Sequence, residues 1–360
     1  MAGPRVAVVG AGAWGTTLAR VVARSEPVTL LCHSRETAAR IAATGRNEAR
    51  LPGVDLPASV VPTADPAALL DAFDLVVFAT PSSHLRTTVE TVAPFLAPGA
   101  DLLSVVKGLE EGTHLRMSLV IAEAAGIDVG RIAALSGPNL AAEVARDLPA
   151  SAVVAAADLA LAERVVKRIA RRRFRLYVNE DILGVELCGA TKNVVAIAAG
   201  AADGLGFGDN GKAGLLTRGL AEMTRLGIAA GANPLTFAGL AGMGDLIATC
   251  GSALSRNHRL GEELAKGRPW TEIEATLPGV AEGAYTVRAA LALAQRYGVE
   301  MPIARQVELA LFEGKSVQRC LVDLLARESK DELADYGRWM ARLGSEDAGD
   351  TEGATTADTG

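Results

Sequence analysis

The chain opens on a short unbroken apolar run. Arg5-Val6-Ala7-Val8-Val9 is β-branched with no polar interruption after its first residue, as expected of a strand buried on both faces. A glycine turn and a helical stretch from Trp14 to Arg24 follow. Val28 to Cys32, Asp74 to Ala79, Leu102 to Val106 and Ile132 to Leu135 repeat the theme, and Ser151 to Ala155 is a further candidate strand. Such runs alternating with helix-length stretches predict a doubly wound, parallel α/β sheet. From about Asp181 the period changes. Strand-like runs disappear, and Ala- and Leu-rich helical patterns continue to about Arg342. Tyr285 to Tyr297, closed by Gly298 and then Pro302, is the clearest of them. The pattern predicts an α/β domain over residues 1–180 and an all-α domain over 181–343. Gly344 to Gly360 holds nothing apolar larger than Ala and is expected to be disordered.

Composition narrows the class. A chain of 360 residues has room for two domains and a large core, so it needs no disulfide or metal staple. Aromatic residues are only 4%, which leaves the core to Ala, Val, Leu and Ile. The formal charge is −6, but five acids lie beyond Gly344 (Glu346, Asp347, Asp350, Glu352 and Asp358) with no Lys or Arg among them. The rest is near neutral, and no basic field argues for nucleic acid. The cysteines Cys32, Cys188, Cys250 and Cys320 are far apart and form no CxxC pair, which fits a reducing compartment and offers no metal cage. Ile182 to Ala202 is apolar enough to suggest a membrane span. Glu186, Lys192 and Asn193 in its interior argue against one. The first apolar run is too short for a signal peptide, so a soluble, cytoplasmic protein is expected.

Gly10-Ala11-Gly12-Ala13-Trp14-Gly15 is a GxGxxG run between a strand and a helix, the setting in which it signals dinucleotide binding. Gly10 permits the tight turn, Gly12 lets the backbone approach a pyrophosphate, and Gly15 allows close helix–sheet packing. The helix start then faces the phosphates. Trp14 reads either as a neighbour of the cofactor or as a core aromatic. An NAD site usually places an acid at the end of the second strand, where this chain has His33-Ser34-Arg35 and a first acid only at Glu36. Hydroxyl, imidazole and guanidinium suit the 2′-phosphate of NADP. The alternative is a solvated Arg35, and use of NAD stays open.

Three stretches of the second half combine polar groups with apolar surroundings. Gly184 to Ile197 is apolar nearly all round, so Lys192 within it is either functional, with burial lowering its pKa, or snorkels to the surface. In Gly239 to Cys250, Asp245 either orients a lysine or a substrate hydroxyl, or caps a helix. Ser255-Arg256-Asn257 enters a helix at about His258 to Lys266. It reads as an anion site or as a cap beside a surface arginine.

At this point the sequence resembles the bacterial NAD(P)-dependent glycerol-3-phosphate dehydrogenases from about Arg5 to Leu343. The resemblance is carried by Gly10 to Leu18, Lys107-Gly108-Leu109-Glu110, Ser136-Gly137-Pro138, Val185 to Asn193, Gly204 to Asn210, Gly242-Met243-Gly244-Asp245, Ser255-Arg256-Asn257 and Ala281-Glu282-Gly283. It implies a Rossmann domain followed by a helical domain, with the site in the cleft between them. The implied activity is the reversible reduction of dihydroxyacetone phosphate to sn-glycerol 3-phosphate with NAD(P)H, feeding glycerophospholipid synthesis. By this resemblance Lys192 is the general acid/base, Lys107 contacts cofactor and substrate, and Asp245 supports the reacting end. Gly137, Asn139, Ser255, Arg256 and Asn257 surround the substrate, with Arg256 also reaching the cofactor. Ala13, Trp14, His33, Ala141, Val280 and Glu282 fall at cofactor-contact positions. The chain departs from the family at Asn139 (usually Ser or Thr), Leu140 (an aromatic), Arg50 (Tyr or Phe) and Leu31-Cys32 (Trp and a small residue).

Two rival functions remain. A related hydroxy-acid dehydrogenase shares the glycine turn and a catalytic lysine in a helical domain, but would want a site for a substrate carboxylate. A non-catalytic dinucleotide sensor would have no need to keep Lys192, Asp245 and Arg256 together. A small-molecule partner is expected, with no nucleic acid, and a homodimer is left open.

Overall fold

The computed structural model describes residues 6–70, 74–277 and 279–328. Arg5, the helical pattern beyond residue 328 and the Gly344–Gly360 tail lie outside the described residues. The strands are β1 (Val6–Val9), β2 (Val28–Leu31), β3 (Val60–Thr63), β4 (Leu75–Phe78), β5 (Asp101–Ser104), β6 (Ile132–Ser136), β7 (Ala150–Ala155) and β8 (Phe174–Asn179). Between them run α1 (Ala13–Val22), α2 (Arg35–Thr44), α3 (Leu85–Val92), α4 (Met117–Ala125), α5 (Ala141–Ala145) and α6 (Leu159–Ile169). The rest is helical: α7 (Ile182–Gly204), α8 (Gly208–Ala230), α9 (Pro234–Ala238), α10 (Asp245–Gly251), α11 (Arg256–Ala265), α12 (Trp270–Thr276), α13 (Glu282–Arg296), α14 (Pro302–Phe312) and α15 (Val317–Leu325). Residues up to Cys320 form one compact unit that holds the whole sheet and α1–α14; Leu321 onward is a second unit.

Among the described residues the strands make one sheet in the order β3-β2-β1-β4-β5-β6-β7-β8. The alternating side chains of β1 show how it is covered. Val6 and Val8 point into a cluster with Leu18, Val22, Val165 and Ile169 of α1 and α6, while Ala7 and Val9 point into one with Leu85, Val89, Val120 and Ile121 of α3 and α4. Both faces are therefore dry, which is why β1 carries no polar residue.

The expectation of a wholly parallel sheet needs one correction. β7 runs antiparallel to β6. The link between them holds only the five-residue α5, not the longer helix that would carry the chain back for a parallel return. Two strands also have no counterpart in the apolar pattern. β3 contains Pro62 and leaves Val61 exposed, and β8 exposes Arg175, Tyr177 and Val178. Both are edge strands, where one side of the ladder meets no neighbour and polar residues are tolerated.

The last strand ends at Asn179 and α7 begins at Ile182. Asp181 caps this helix. Its Oδ1 accepts from the Gly184 N–H at 2.8 Å, and its Oδ2 accepts from Thr236 Oγ1 at 2.7 Å. Helix α7 is long and apolar enough to cross a membrane by length and composition, but most of it is buried inside the protein. Its charges have partners. Glu186 accepts from the Ser118 N–H (2.8 Å), Ser118 Oγ (2.7 Å) and Arg116 Nη1 (2.6 Å) at the start of α4. Helix α11 crosses α7 at backbone distance, since a Cβ on Gly200 would lie 1.9 Å from the His258 carbonyl oxygen. That crossing brings the start of α11 to the polar middle of α7.

Candidate active site

The dinucleotide half of the site is built on the turn between β1 and α1. Gly10 has φ +113°, and a Cβ there would sit 2.8 Å from the Ala79 carbonyl oxygen at the end of β4. A Cβ on Gly15 would sit 2.0 Å from the Gly10 carbonyl oxygen, so α1 can approach the turn only without a side chain at that position. Gly12, the N-cap of α1, supplies no capping side chain, which leaves the first-turn amides at Ala13 and Trp14 available to an anion. Thr80 Oγ1, beside Gly10, is buried without a partner. A glycine cradle, uncapped amides and an orphaned hydroxyl fit a dinucleotide pyrophosphate.

Asn47 holds this turn in place. Its Nδ2 donates to the Ala11 carbonyl (2.9 Å) and to Thr16 Oγ1 (2.8 Å), and the residue is buried. Sequence reasoning missed it, because a lone Asn after α2 carries no periodic or spacing signal. Thr17 Oγ1 reaches the Ala141 carbonyl at 3.2 Å, which sets Ala141 against the first turn of α1. Trp14 stacks edge-on against Phe174, with ring centroids 6.0 Å apart, and packs on the sheet core, so the core-aromatic alternative describes its ring. Its Nε1 is buried without a partner.

At the end of β2 the three expected residues differ in their situations. Ser34 is the N-cap of α2, accepting from the Thr37 N–H at 3.2 Å, so its hydroxyl is already engaged. His33 and Arg35 are exposed. The nearby Glu36 pairs with Arg40 at 3.4 Å along α2 and does not stand in for a ribose-binding acid.

The catalytic half centres on one buried carboxylate. The segment Leu240–Gly244 forms a π-helical turn that delivers Asp245 to the start of α10. Lys192 Nζ donates to Asp245 Oδ1 at 2.8 Å and to Thr249 Oγ1 at 2.6 Å. Lys107 Nζ, from the loop after β5, donates to the other oxygen, Asp245 Oδ2, at 2.8 Å. It also donates to Asn139 Oδ1 (2.8 Å) and the Gly137 carbonyl (3.1 Å). Lys192 thus does not snorkel, and Asp245 does more than begin a helix. Thr249 went unnoticed in the sequence, although it lies one helical turn beyond Asp245, on the same face.

Burial pushes the Lys107 ammonium down to about 8, with Lys192 adding to the effect and Asp245 opposing it. Burial also works against the Asp245 carboxylate, but the two lysines outweigh it and hold Asp245 below its ordinary range. Two ammonium groups around one carboxylate leave a buried excess of positive charge, suited to an anionic substrate or to an oxygen gaining negative charge.

The remaining expected residues line the start of α11 and α13. Ser255 Oγ caps α11, accepting from the His258 N–H at 3.2 Å. Asn257 makes two hydrogen bonds within the protein: Nδ2 donates to Asn193 Oδ1 (2.9 Å) and Oδ1 accepts from the Gly283 N–H (3.0 Å). It fastens α11 to α7 and α13. Arg256 lies against Gly279, where a Cβ would be 2.8 Å from Nη1. Glu282, at the start of α13, accepts from the Ser82 backbone N–H at 3.2 Å and from the Ser82 hydroxyl. Ser82, from the loop after β4, was not foreseen.

Two family models match the chain in tandem. NAD-dependent glycerol-3-phosphate dehydrogenase N-terminus covers residues 5–162, and the C-terminus of the same family covers residues 181–322. The chain belongs to the NAD-dependent glycerol-3-phosphate dehydrogenase family. It is 49% identical over 325 residues to a glycerol-3-phosphate dehydrogenase (NAD(P)+) of a Parafrankia species, covering 90% of this chain and 97% of that protein. A protein of the same name from Streptomyces avermitilis is 46% identical, with 91% and 98% covered. The crystal structure of glycerol-3-phosphate dehydrogenase from Coxiella burnetii superposes with a TM-score of 0.85 at 36% identity, over 89% of this chain and 98% of that one. The Coxiella structure shares the sheet-then-helices architecture described above.

Proposed function

We propose that this chain reduces dihydroxyacetone phosphate to sn-glycerol 3-phosphate, reversibly, with NADPH or NADH. The observation that carries the proposal is the Asp245 carboxylate bridging Lys107 and Lys192 at 2.8 Å each. In this scheme residues 1–180 hold the dinucleotide and residues 181–343 supply the substrate side. The turn at Gly10, Gly12 and Gly15, with the Ala13 and Trp14 amides, would hold the pyrophosphate. His33 and Arg35 would receive a 2′-phosphate, and Ala141, Val280 and Glu282 would complete the cofactor side. When bound, the nicotinamide supplies the hydride.

Lys192 acts as general acid for reduction, giving a proton from Nζ to the substrate C2 oxygen as charge develops there, and as general base in reverse. Asp245 holds Lys192 in place and, with Thr249, fixes the direction of its remaining N–H. Lys107, its three N–H groups held by Gly137, Asn139 and Asp245, adds a second positive charge beside that oxygen. Arg256 and the first amides of α11 bind the phosphate, so that binding energy remote from C2 orients the carbonyl. Ser255 and Asn257 shape that helix start, and the Ser255 O–H and the second Asn257 N–H would donate to the substrate. Release of the product into glycerophospholipid synthesis in the cytoplasm completes the proposal.

Dihydroxyacetone phosphate added to purified protein with NADPH or NADH should remove the absorbance of the reduced nicotinamide. The 2-keto acids favoured by hydroxy-acid dehydrogenases should not. Consumption with a keto acid and none with dihydroxyacetone phosphate would reassign the substrate. Cofactor binding without turnover of either would leave a dinucleotide sensor.

A further inference from the structure

A serine in the loop after β4 grips a carboxylate that belongs to the helical half of the molecule. Ser82 donates twice to Glu282, from its backbone N–H to Oε1 and from its hydroxyl to Oε2. β1 and β4 are neighbours at the centre of the sheet, and the chain order reverses there. The crevice outside the carboxyl ends of strands at such a reversal is where open α/β sheets bind their ligands. Ser82 follows β4 by a few residues, on the lip of that crevice, and Glu282 closes it from the start of α13. The space for the pair is reserved by a third residue. A Cβ on Gly108, next to Lys107, would lie 2.7 Å from Ser82 Cβ and 3.5 Å from Glu282 Oε2.

We infer that Ser82 is a positioning residue for the cofactor, holding the Glu282 carboxylate ionised and aimed into the crevice as an acceptor for the carboxamide N–H of a nicotinamide. This rests on the proposed cofactor role of Glu282. A hydroxyl and an amide donating to a half-buried carboxylate stabilise its charged form, the form that only accepts hydrogen bonds. Burial raises the Glu282 carboxyl above its ordinary range, and the Ser82 donors oppose that rise. The other charged groups facing it are Arg256 at the start of α11 and His84 in the Ser82 loop, both favouring ionisation. Tyr285, one turn along α13, is also within electrostatic reach. Without the Ser82 hydroxyl, the carboxyl should protonate at a higher pH and turn more freely. Glu282 thereby joins the two halves of the cleft through the group that the cofactor would meet.

The test is the affinity for NADP+, which survives acid, measured by calorimetry on the full chain between about pH 5 and 9 for wild type, Ser82→Ala, Ser82→Thr and Glu282→Gln. Ser82→Ala should weaken binding on the order of ten-fold at low pH, with the fall in affinity displaced to higher pH. Ser82→Thr, which keeps the hydroxyl, should restore both. Glu282→Gln should weaken binding with no such pH dependence. A Ser82→Ala protein of unchanged melting temperature and a wild-type pH profile would overturn the inference while leaving Glu282 at the cofactor. A Glu282→Gln protein that binds as wild type at every pH would remove Glu282 from the cofactor site and take the inference with it. A loss in Ser82→Ala that is equal at every pH, with a lowered melting temperature, would show a purely structural contact.

Discussion

Lys107 and Lys192 donate to opposite oxygens of one buried carboxylate, Asp245, at 2.8 Å each. The first lysine comes from a sheet loop and the second from the middle of the long buried helix α7, so the carboxylate ties the sheet to the helical half. A buried ion pair of this kind is weak evidence for stability, because removing two charges from water offsets much of their attraction. In the proposed mechanism its value lies in holding an ammonium group at fixed geometry for proton transfer.

Lys192→Ala should lose roughly 10²–10⁴-fold in kcat while keeping cofactor affinity. The melting temperature should fall modestly, at about 1–3 kcal/mol, because the two Lys192 hydrogen bonds are lost while Lys107 and the Thr249 hydroxyl still donate to Asp245. Lys192→Arg should not restore turnover, since a guanidinium stays protonated near neutral pH. Steady-state kinetics and thermal melts of both variants check this. Near-normal kcat in folded Lys192→Ala would end the general-acid role.

Lys107 gives a stability effect with a definite sign. Its pKa falls from 10.5 in the unfolded chain to about 8 in the fold. Below about 8 both states are protonated, and the fold carries the full penalty of a buried ammonium. Between about 8 and 10.5 the folded chain has released a proton that the unfolded chain keeps, so this group makes stability rise with pH. Denaturant unfolding across that window should show a shallower rise in Lys107→Met than in wild type. Identical slopes in the two proteins would show that Lys107 titrates normally.

Asn47→Ala should weaken NADPH and NADH alike, on the order of ten-fold, because two hydrogen bonds to the glycine turn are lost whichever cofactor is bound. Fluorescence titration with each nucleotide is sufficient. A selective loss of NADPH alone would place Asn47 at the 2′-phosphate instead.

Arg35→Ala should weaken NADPH more than NADH. Arg35 is exposed at the start of α2, where only the 2′-phosphate offers it an anion, whereas the Ser34 hydroxyl beside it is engaged in capping. Equal losses for both nucleotides would remove Arg35 from that role.

Much of this protein was legible because its signals are local. Val6 to Val9 reads as a doubly covered strand from four consecutive apolar residues, and the glycine run announces a phosphate turn, with positions 10 and 15 leaving no room for a side chain. Lys192 stood out because a lysine in an apolar helix demands an explanation. The edge strands β3 and β8 were illegible for the converse reason: half-exposed strands with Pro62 or Arg175 have no apolar continuity to read.

The sequence by itself determined the α/β start, the helical second half, the dinucleotide turn and the lysine and aspartate as candidates, because each is set by residue type over a few neighbours. Only the tertiary structure decided what those candidates touch. It showed that Asp245 serves Lys107, 138 positions away, as well as Lys192, and that Asn257 fastens three helices together. It also showed that Ser82 meets Glu282 across 200 positions, and that β7 turns back against β6. Hydrogen-bond partners far apart in the chain leave no period or spacing in it. They are chosen by the path of the backbone, and that path is fixed by packing the whole core at once.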